Sequence, residues 1–252
     1  MRFSLSTPAI VLRARPYGES DKIVSFLTER QGKLTGIAKG AKNSRRRFPN
    51  SLEPFAQITL HFEDRPHGRL AFLLSAELNL VYKELTQNLD KISYASYLVE
   101  ITEGLIADRE ENQAVFEHLK KGLCYLDEYT PSLRFITTYE LELMRLTGYQ
   151  PVLDRCKACN LDMNACNGAN WFFSPQDGGI LCSSCSPGRH QLTPLSLSAA
   201  KMLIELQHAQ DLSAAPVMLP ASVVRGMRDA VSNFVQYHLD REIKSAPFLR
   251  VN

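Results

Sequence analysis

The chain has 252 residues, 44% of them hydrophobic and 22% charged, which gives enough apolar material for one large or two to three small packed domains and excludes general disorder. The net charge of +2 hides an asymmetry. Residues 1–50 hold eleven Lys/Arg against three Asp/Glu, a net +8, and residues 51–252 hold eighteen against twenty-four, a net −6. A basic front on an acidic body suits a polyanion-binding face, and a solvated basic surface is the plainer reading. The apolar run Ala9–Leu12 is too short for a secretory signal, and no stretch approaches the roughly 20 apolar residues of a membrane span, so a cytoplasmic protein with no membrane partner is expected. Its six cysteines then favour thiols or metal ligands over disulfides.

The first eighty residues read as strands. Ala9–Arg15 is a β-branched run ended by Pro16-Tyr17-Gly18, Lys22–Thr28 runs to a break near Gly32, and Lys33–Ala38 is a third run. A polar, basic loop spans Lys39–Asn50. Phe55–Phe62 and Arg69–Leu80 follow on either side of the turn Pro66-His67-Gly68. Five short strands parted by turn signals suit a small closed barrel such as the oligonucleotide-binding (OB) fold, and strand pattern alone leaves other small barrels open.

Near residue 85 the period changes. Segments 88–108, 112–128 and 131–147 carry apolar residues at helical spacing, as in Ile92, Ala95, Leu98, Val99, Thr102 and Leu105. Thr130-Pro131 reads as a helix start and Gly148 as its stop. Further helices are expected from near Ser198 to His208 and from near Pro220, the latter with Val223, Met227, Val231, Phe234, Val235 and Leu239 on one side. The expected class is α+β and multidomain: a five-stranded OB barrel at 1–82, then a mostly α-helical domain at 83–252 that contains a cysteine-rich, zinc-binding insertion at 151–190.

That insertion holds the most specific motif. Cys156-Lys157-Ala158-Cys159 and Cys182-Ser183-Ser184-Cys185 are two CxxC pairs with 22 residues between them. Each pair supplies two thiolates from one tight turn, and two facing turns complete the tetrahedron of structural zinc, with no open position left for a catalytic water. A redox dithiol is the competing reading, weakened because no thioredoxin-like βαβ pattern surrounds either pair. One structural Zn2+ per chain is expected. Cys166 and His190 are substitute donors by type, and more simply a spare thiol and a surface residue. Cys124 reads as a small core residue in a helical run.

The densest positive run is Lys39, Lys42, Arg45, Arg46 and Arg47, followed by Phe48. Such residues displace counterions from phosphates, and Arg adds bidentate hydrogen bonds. Arg13, Arg15 and Lys33 extend the candidate DNA-binding set, and simple solvent exposure on a strand is their plainer reading. Phe48 can stack on a base or fold into the barrel, and the second is favoured. No GxxxxGK[ST] loop, HExxH, GxSxG or dinucleotide fingerprint occurs, so no enzyme and no nucleotide cofactor are expected.

The chain resembles the RecO family along nearly its whole length. The resemblance is carried by Glu19, Asp21, Thr28, Gly32, Lys39-Gly40, Lys42 and Leu52-Glu53-Pro54-Phe55; by Tyr94, Tyr97, Glu100, Phe116, Tyr139-Glu140-Leu141 and Leu146-Thr147-Gly148-Tyr149; and by Gln150-Pro151, Cys156-Lys157-Ala158-Cys159, Phe173-Ser174 and Gly178–Cys182. The ending Ile243-Lys244-Ser245 with Phe248-Leu249 is similar too, but Ala246-Pro247 stands where the family often has a polar residue. The resemblance implies an OB barrel, a helical body and a zinc insertion. It also implies a DNA repair and recombination mediator that binds single- and double-stranded DNA and anneals complementary single strands without ATP. The implied partners are RecR, with which it assists RecA loading, and the C-terminal tail of the single-stranded-DNA-binding protein SSB. An RNA-binding or ribosome-associated zinc module is the alternative for a barrel with a zinc ribbon, and a zinc- or thiol-dependent enzyme is a third.

Overall fold

The structure is a computed structural model that describes residues 4–64, 70–164, 170–209, 212, 220–239 and 241–249. The chain divides into two compact units, residues 1–129 and 130–252. The first therefore continues past the barrel through three helices.

Five strands build the first unit's barrel: β1 (Ser4–Tyr17), β2 (Asp21–Thr28), β3 (Gly32–Ala38), β4 (Gln57–Glu63) and β5 (Ala71–Leu80). They close in the order β1-β2-β3-β5-β4, with β3 and β5 parallel and the other neighbours antiparallel. That is a five-stranded OB-type barrel, as expected from the strand pattern. Alternation explains the filling: Ala9, Val11, Val24, Phe26, Leu34, Ile58, Leu60, Phe62 and Leu73 point into one core. A bulge between Val11 and Arg13 resets the phase of β1, and Arg13 and Arg15 both end on the exposed side. β4 starts at Gln57 and not at Phe55, because Phe55 takes a left-handed backbone (φ 73°), donates its N–H to Val11 and stays buried. The turn Pro66-His67-Gly68 and Arg69 lie outside the described residues.

The segment 39–56 is a folded cap on the barrel. A short 3-10 turn at Ala41–Asn43 opens it, and Ala41, Phe48, Leu52 and Ala56 all join the barrel core. Phe48 is only 4% exposed, so it packs inward and offers no face to a base.

Three helices complete this unit: α1 (Lys83–Gln87), α2 (Leu89–Leu105) and α3 (Gln113–Glu128). Asn88 caps α2 and Asn112 caps α3 through side-chain oxygens that accept backbone N–H groups. The stripe Ala95, Leu98, Val99 and Thr102 is buried, and so are Tyr94, Tyr97 and Ile101 on other sides, because α2 packs against both β1 and α3.

The second unit holds α4 (Leu133–Leu146), β6 (Trp171–Ser174), β7 (Gly179–Cys182), β8 (Thr193–Leu195), α5 (Leu197–His208) and α6 (Ala221–His238). The cap of α4 is Ser132, not Thr130: Ser132 is extended and its Oγ accepts the N–H of Phe135 at 3.2 Å. Gly148 ends the helix as expected, in a left-handed conformation (φ 87°) that lets Tyr149 N–H reach Met144 O at 2.7 Å. α6 buries Val223, Met227, Val231, Phe234 and Val235, and Leu239, which caps its end, is buried with them. Arg228 of α6 pairs with the fully buried Glu140 of α4, tying the two helices together. Among the described residues no helix is long and apolar enough to cross a membrane.

Candidate metal centre and nucleic-acid interface

The metal candidate is built on the sheet β7-β6-β8. β6 and β7 pair with Trp171 opposite Cys182, so the second CxxC leaves the end of a regular hairpin. Cys182 then begins a tight turn in which Cys185 and Ser186 both donate N–H to Cys182 O at 3.0 Å. The first CxxC makes the matching turn. Asn160, at φ 59°, donates to Cys156 O at 2.8 Å, and Cys156 N–H reaches Leu161 O. Val152 bridges to Gly179, and Lys157 N–H donates to Ile180 O, which docks this turn on β7. Gly179 is required at that seam, since a Cβ there would meet Val152 O at 2.4 Å.

The two turns bring the sulfurs of Cys156, Cys159, Cys182 and Cys185 within 4.8 Å of one another, close enough to hold a metal ion. Cys159 and Cys182 sulfurs are 3.8 Å apart. A tetrahedron with metal–sulfur bonds of about 2.3 Å has edges of about 3.8 Å, so the spacing fits. Backbone N–H groups turn inward as they do around thiolates, with Cys182 N 3.4 Å from Cys156 Sγ. Burial alone raises the Cys156 thiol, but N–H groups of Cys182, Cys159 and Ala158 outweigh it and bring the group down to about 6. Cys185 goes the other way, pushed up to about 12 by the thiols of Cys182 and Cys159. The Leu161 N–H lowers Cys159, yet the Cys156 thiol and burial leave it raised. Four sulfurs this close ionise together only around a cation.

His190 is exposed and outside this cluster, Cys166 lies outside the described residues, and Cys124 is half-buried in the first unit, 3.6 Å from Tyr82 Oη.

The expected DNA-binding residues separate into two groups. Lys39, Lys42, Arg45, Arg46 and Arg47 gather on the cap segment, all exposed. Asp21 organises it: its carboxylate accepts from Lys39 Nζ at 2.7 Å, Gly40 N at 2.8 Å and Ser20 Oγ at 3.2 Å. Those bonds, from Lys39 first and Gly40 next, hold the Asp21 pKa below 3.8. Lys42 Nζ donates to Gly18 O and Glu19 O, and Arg47 donates to Lys39 O and lies over the Phe48 ring at 5.4 Å. Arg45 and Arg46 make no ion pair or hydrogen bond among the described residues.

Arg13 and Lys33 face α2 instead. Arg13 pairs with Glu103 at 2.8 Å. Lys33 Nζ donates to Glu103 O and Ile106 O at 2.9 and 3.0 Å, satisfying carbonyls at the end of α2. Arg15 is exposed near the far end of β1. Sequence reasoning did not connect Lys22 at the start of β2 with Glu53 of the cap segment, which pair at 3.0 Å. Lys22 was visible only as the first residue of a strand, and its tie to Glu53 spans thirty-one residues.

The chain matches known proteins along its whole length. Family models described as Recombination protein O N terminal and Recombination protein O C terminal match residues 1–82 and 86–247. A DNA repair protein RecO of Anaeromyxobacter sp. (strain Fw109-5) is 35% identical over 246 residues, covering 97% of this chain and 95% of that one. The protein of the same name from Syntrophus aciditrophicus is 31% identical over 250 residues, 98% and 96% of the two chains. That of Thermoanaerobacter sp. (strain X514) is 30% identical over 252 residues, 97% and 96%.

Proposed function

Since the chain belongs to the RecO family of DNA repair proteins, we propose that it is a recombination mediator that binds DNA and anneals complementary single strands without ATP. The observation that carries this reading is the closed five-stranded barrel capped by a folded, strongly basic segment, in a chain matched end to end by DNA repair proteins. Two complementary strands repel through their phosphates. Lys39, Lys42 and Arg45–Arg47 offer cations that displace counterions and screen that repulsion while bases search for partners, Lys39 in exchange for its pair with Asp21. Arg15 extends the surface along β1. Arg13 and Lys33 support it indirectly, because Arg13 is paired with Glu103 and Lys33 with Asp108.

Zinc is the metal assigned to Cys156, Cys159, Cys182 and Cys185, one ion per chain, since four thiolates in a tetrahedron suit it and leave no open position. Its role is to hold the ribbon together, and no catalytic step and no nucleotide cofactor enter the mechanism. By family, the partners are single- and double-stranded DNA, RecR, and the C-terminal tail of SSB, and the outcome is RecA loading on SSB-coated DNA in the cytoplasm.

The test is annealing of two complementary DNA strands, each coated with SSB from the same organism, without ATP. Acceleration at stoichiometric protein is expected. Folded, metal-loaded protein that gives no acceleration, and that prefers RNA to single-stranded DNA of equal sequence, would move the assignment to an RNA-binding zinc module.

A further inference from the structure

Between β2 and the cap segment lies a cavity of about 380 Å³, lined by residues that include Lys22, Lys42, Arg45, Phe48, Leu52 and Glu53. It is at the small end of ligand pockets, which run from roughly 300 Å³. Three cations face it against one carboxylate. Phe48 and Leu52, 4% and 3% exposed, are anchored in the barrel core and form an apolar floor. Lys42 is fixed by two carbonyls, Gly18 O and Glu19 O, each at 2.9 Å, and by its own N–H to Ser20 O. Those partners are neutral, so its charge is positioned without being cancelled, and an ammonium keeps a third donor. Arg45 is exposed and carries no ion pair or hydrogen bond among the described residues.

The carboxylate is the informative group. Glu53 reaches Lys22 at 3.0 Å, but the two side chains differ in exposure, 67% for Glu53 and 23% for Lys22. Lys22 is held by β2 while Glu53 stands at the solvent side, the arrangement of an anion that can leave. An exposed ion pair of this kind is weak, so a better-placed anionic oxygen can exchange with it. We propose that this cavity seats a phosphodiester of the bound strand, which takes Lys22 from Glu53 and is held with it by Lys42 and Arg45. Arg46 and Arg47 follow on the same segment, placed for neighbouring phosphates, and this favours a strand over an isolated phosphate. The proposal rests on the reading of the cap segment as a DNA-binding surface, and it adds Lys22 as a ligand and Glu53 as the placeholder that competes with DNA.

The experiment is a double-mutant cycle read by oligo-dT affinity as a function of salt. Lys22→Gln should weaken binding and flatten the plot of log affinity against log salt by about 0.7, one phosphate contact on a single strand. Glu53→Gln should tighten binding and leave the slope unchanged. In Lys22→Gln/Glu53→Gln the gain should vanish, because Glu53 acts through Lys22. Neither side chain is in the core, and unchanged melting temperatures confirm folding. Independent, additive effects would reduce Glu53 to a general repulsive charge and overturn the proposal. So would unaltered binding by Lys22→Gln while Arg45→Ala/Arg46→Ala weakens it, an outcome that leaves the cap segment a DNA-binding surface. Wild-type protein that binds no oligo-dT at low salt removes the cap-segment reading and this one together. dTMP that binds wild type as tightly as oligo-dT does, and Lys22→Gln less, would make the natural ligand a free phosphate compound and overturn the assignment to a strand.

Discussion

Removal of the metal should unfold the cysteine ribbon, and the protein carries its own reporter for the event. Trp171 is the sole tryptophan, is 1% exposed, and stands opposite Cys182 in the β6–β7 ladder. The four cysteines lie on both turns that close the ribbon, so an ion held by them would join Cys156–Cys159 to the end of β7. Structural zinc binds zinc-finger peptides with an apparent free energy of about 10–16 kcal/mol at pH 7. A whole domain is stable by only about 5–15 kcal/mol, so loss of the ion exceeds what the ribbon holds in reserve. The assay is Trp171 emission and iodide quenching during chelation, with metal content followed by elemental analysis. One metal per chain should leave as emission moves to that of water-exposed indole and quenching rises. All four ligands lie in the second unit and the cap-segment cations in the first, so oligonucleotide binding should persist. Protein shown to be metal-free whose Trp171 keeps a buried spectrum would refute the reasoning.

Arg45→Ala/Arg46→Ala should flatten the salt dependence of single-strand affinity by about 1.4, two contacts at about 0.7 each, with no change in melting temperature; an unaltered slope removes these arginines from the interface. Glu140→Ala should cost about 3–5 kcal/mol in denaturant unfolding, since it removes the carboxylate that Arg228 (16% exposed) pairs with at a buried site, and a loss below about 1 kcal/mol would contradict a buried pair. Asp21 adds a pH dependence. Its folded pKa lies below the unfolded value near 3.8, so the stabilisation is complete above that value and is lost as pH falls through the lower, folded pKa. Melting curves across the acid range should show a steeper fall for wild type than for Asp21→Asn, and parallel curves would count against the tie to Lys39.

Much of the fold was legible because it rests on local rules. Short apolar runs parted by turn signals marked the five strands, helical spacing marked α2 to α6, and Gly148 marked a stop that only a left-handed residue makes. Where two local signals competed, packing chose. Thr130-Pro131 and Ser132 are both credible helix starts, and the backbone of Ser132 aligned its hydroxyl with Phe135 N–H. Phe55 belongs to a strand by type, yet its place against Val11 required a left-handed turn first.

The site divides in the same way. Two CxxC turns are short enough for spacing alone to single out the four cysteines that the fold brings together, since each turn fixes its own pair of sulfurs. The basic segment was visible as a run of charge, but which charges are available was decided by tertiary partners far away in sequence. Lys33 and Arg13 are as cationic as Arg45, and they are committed because Asp108 and Glu103 stand 3.2 and 2.8 Å from them. Asp21, Lys22 and Glu53 gain their roles only when closure of the barrel brings the start of β2 against the cap. Charge and short spacing are written in the chain. Whether a charge meets solvent or a partner depends on contacts that exist only once distant segments have packed.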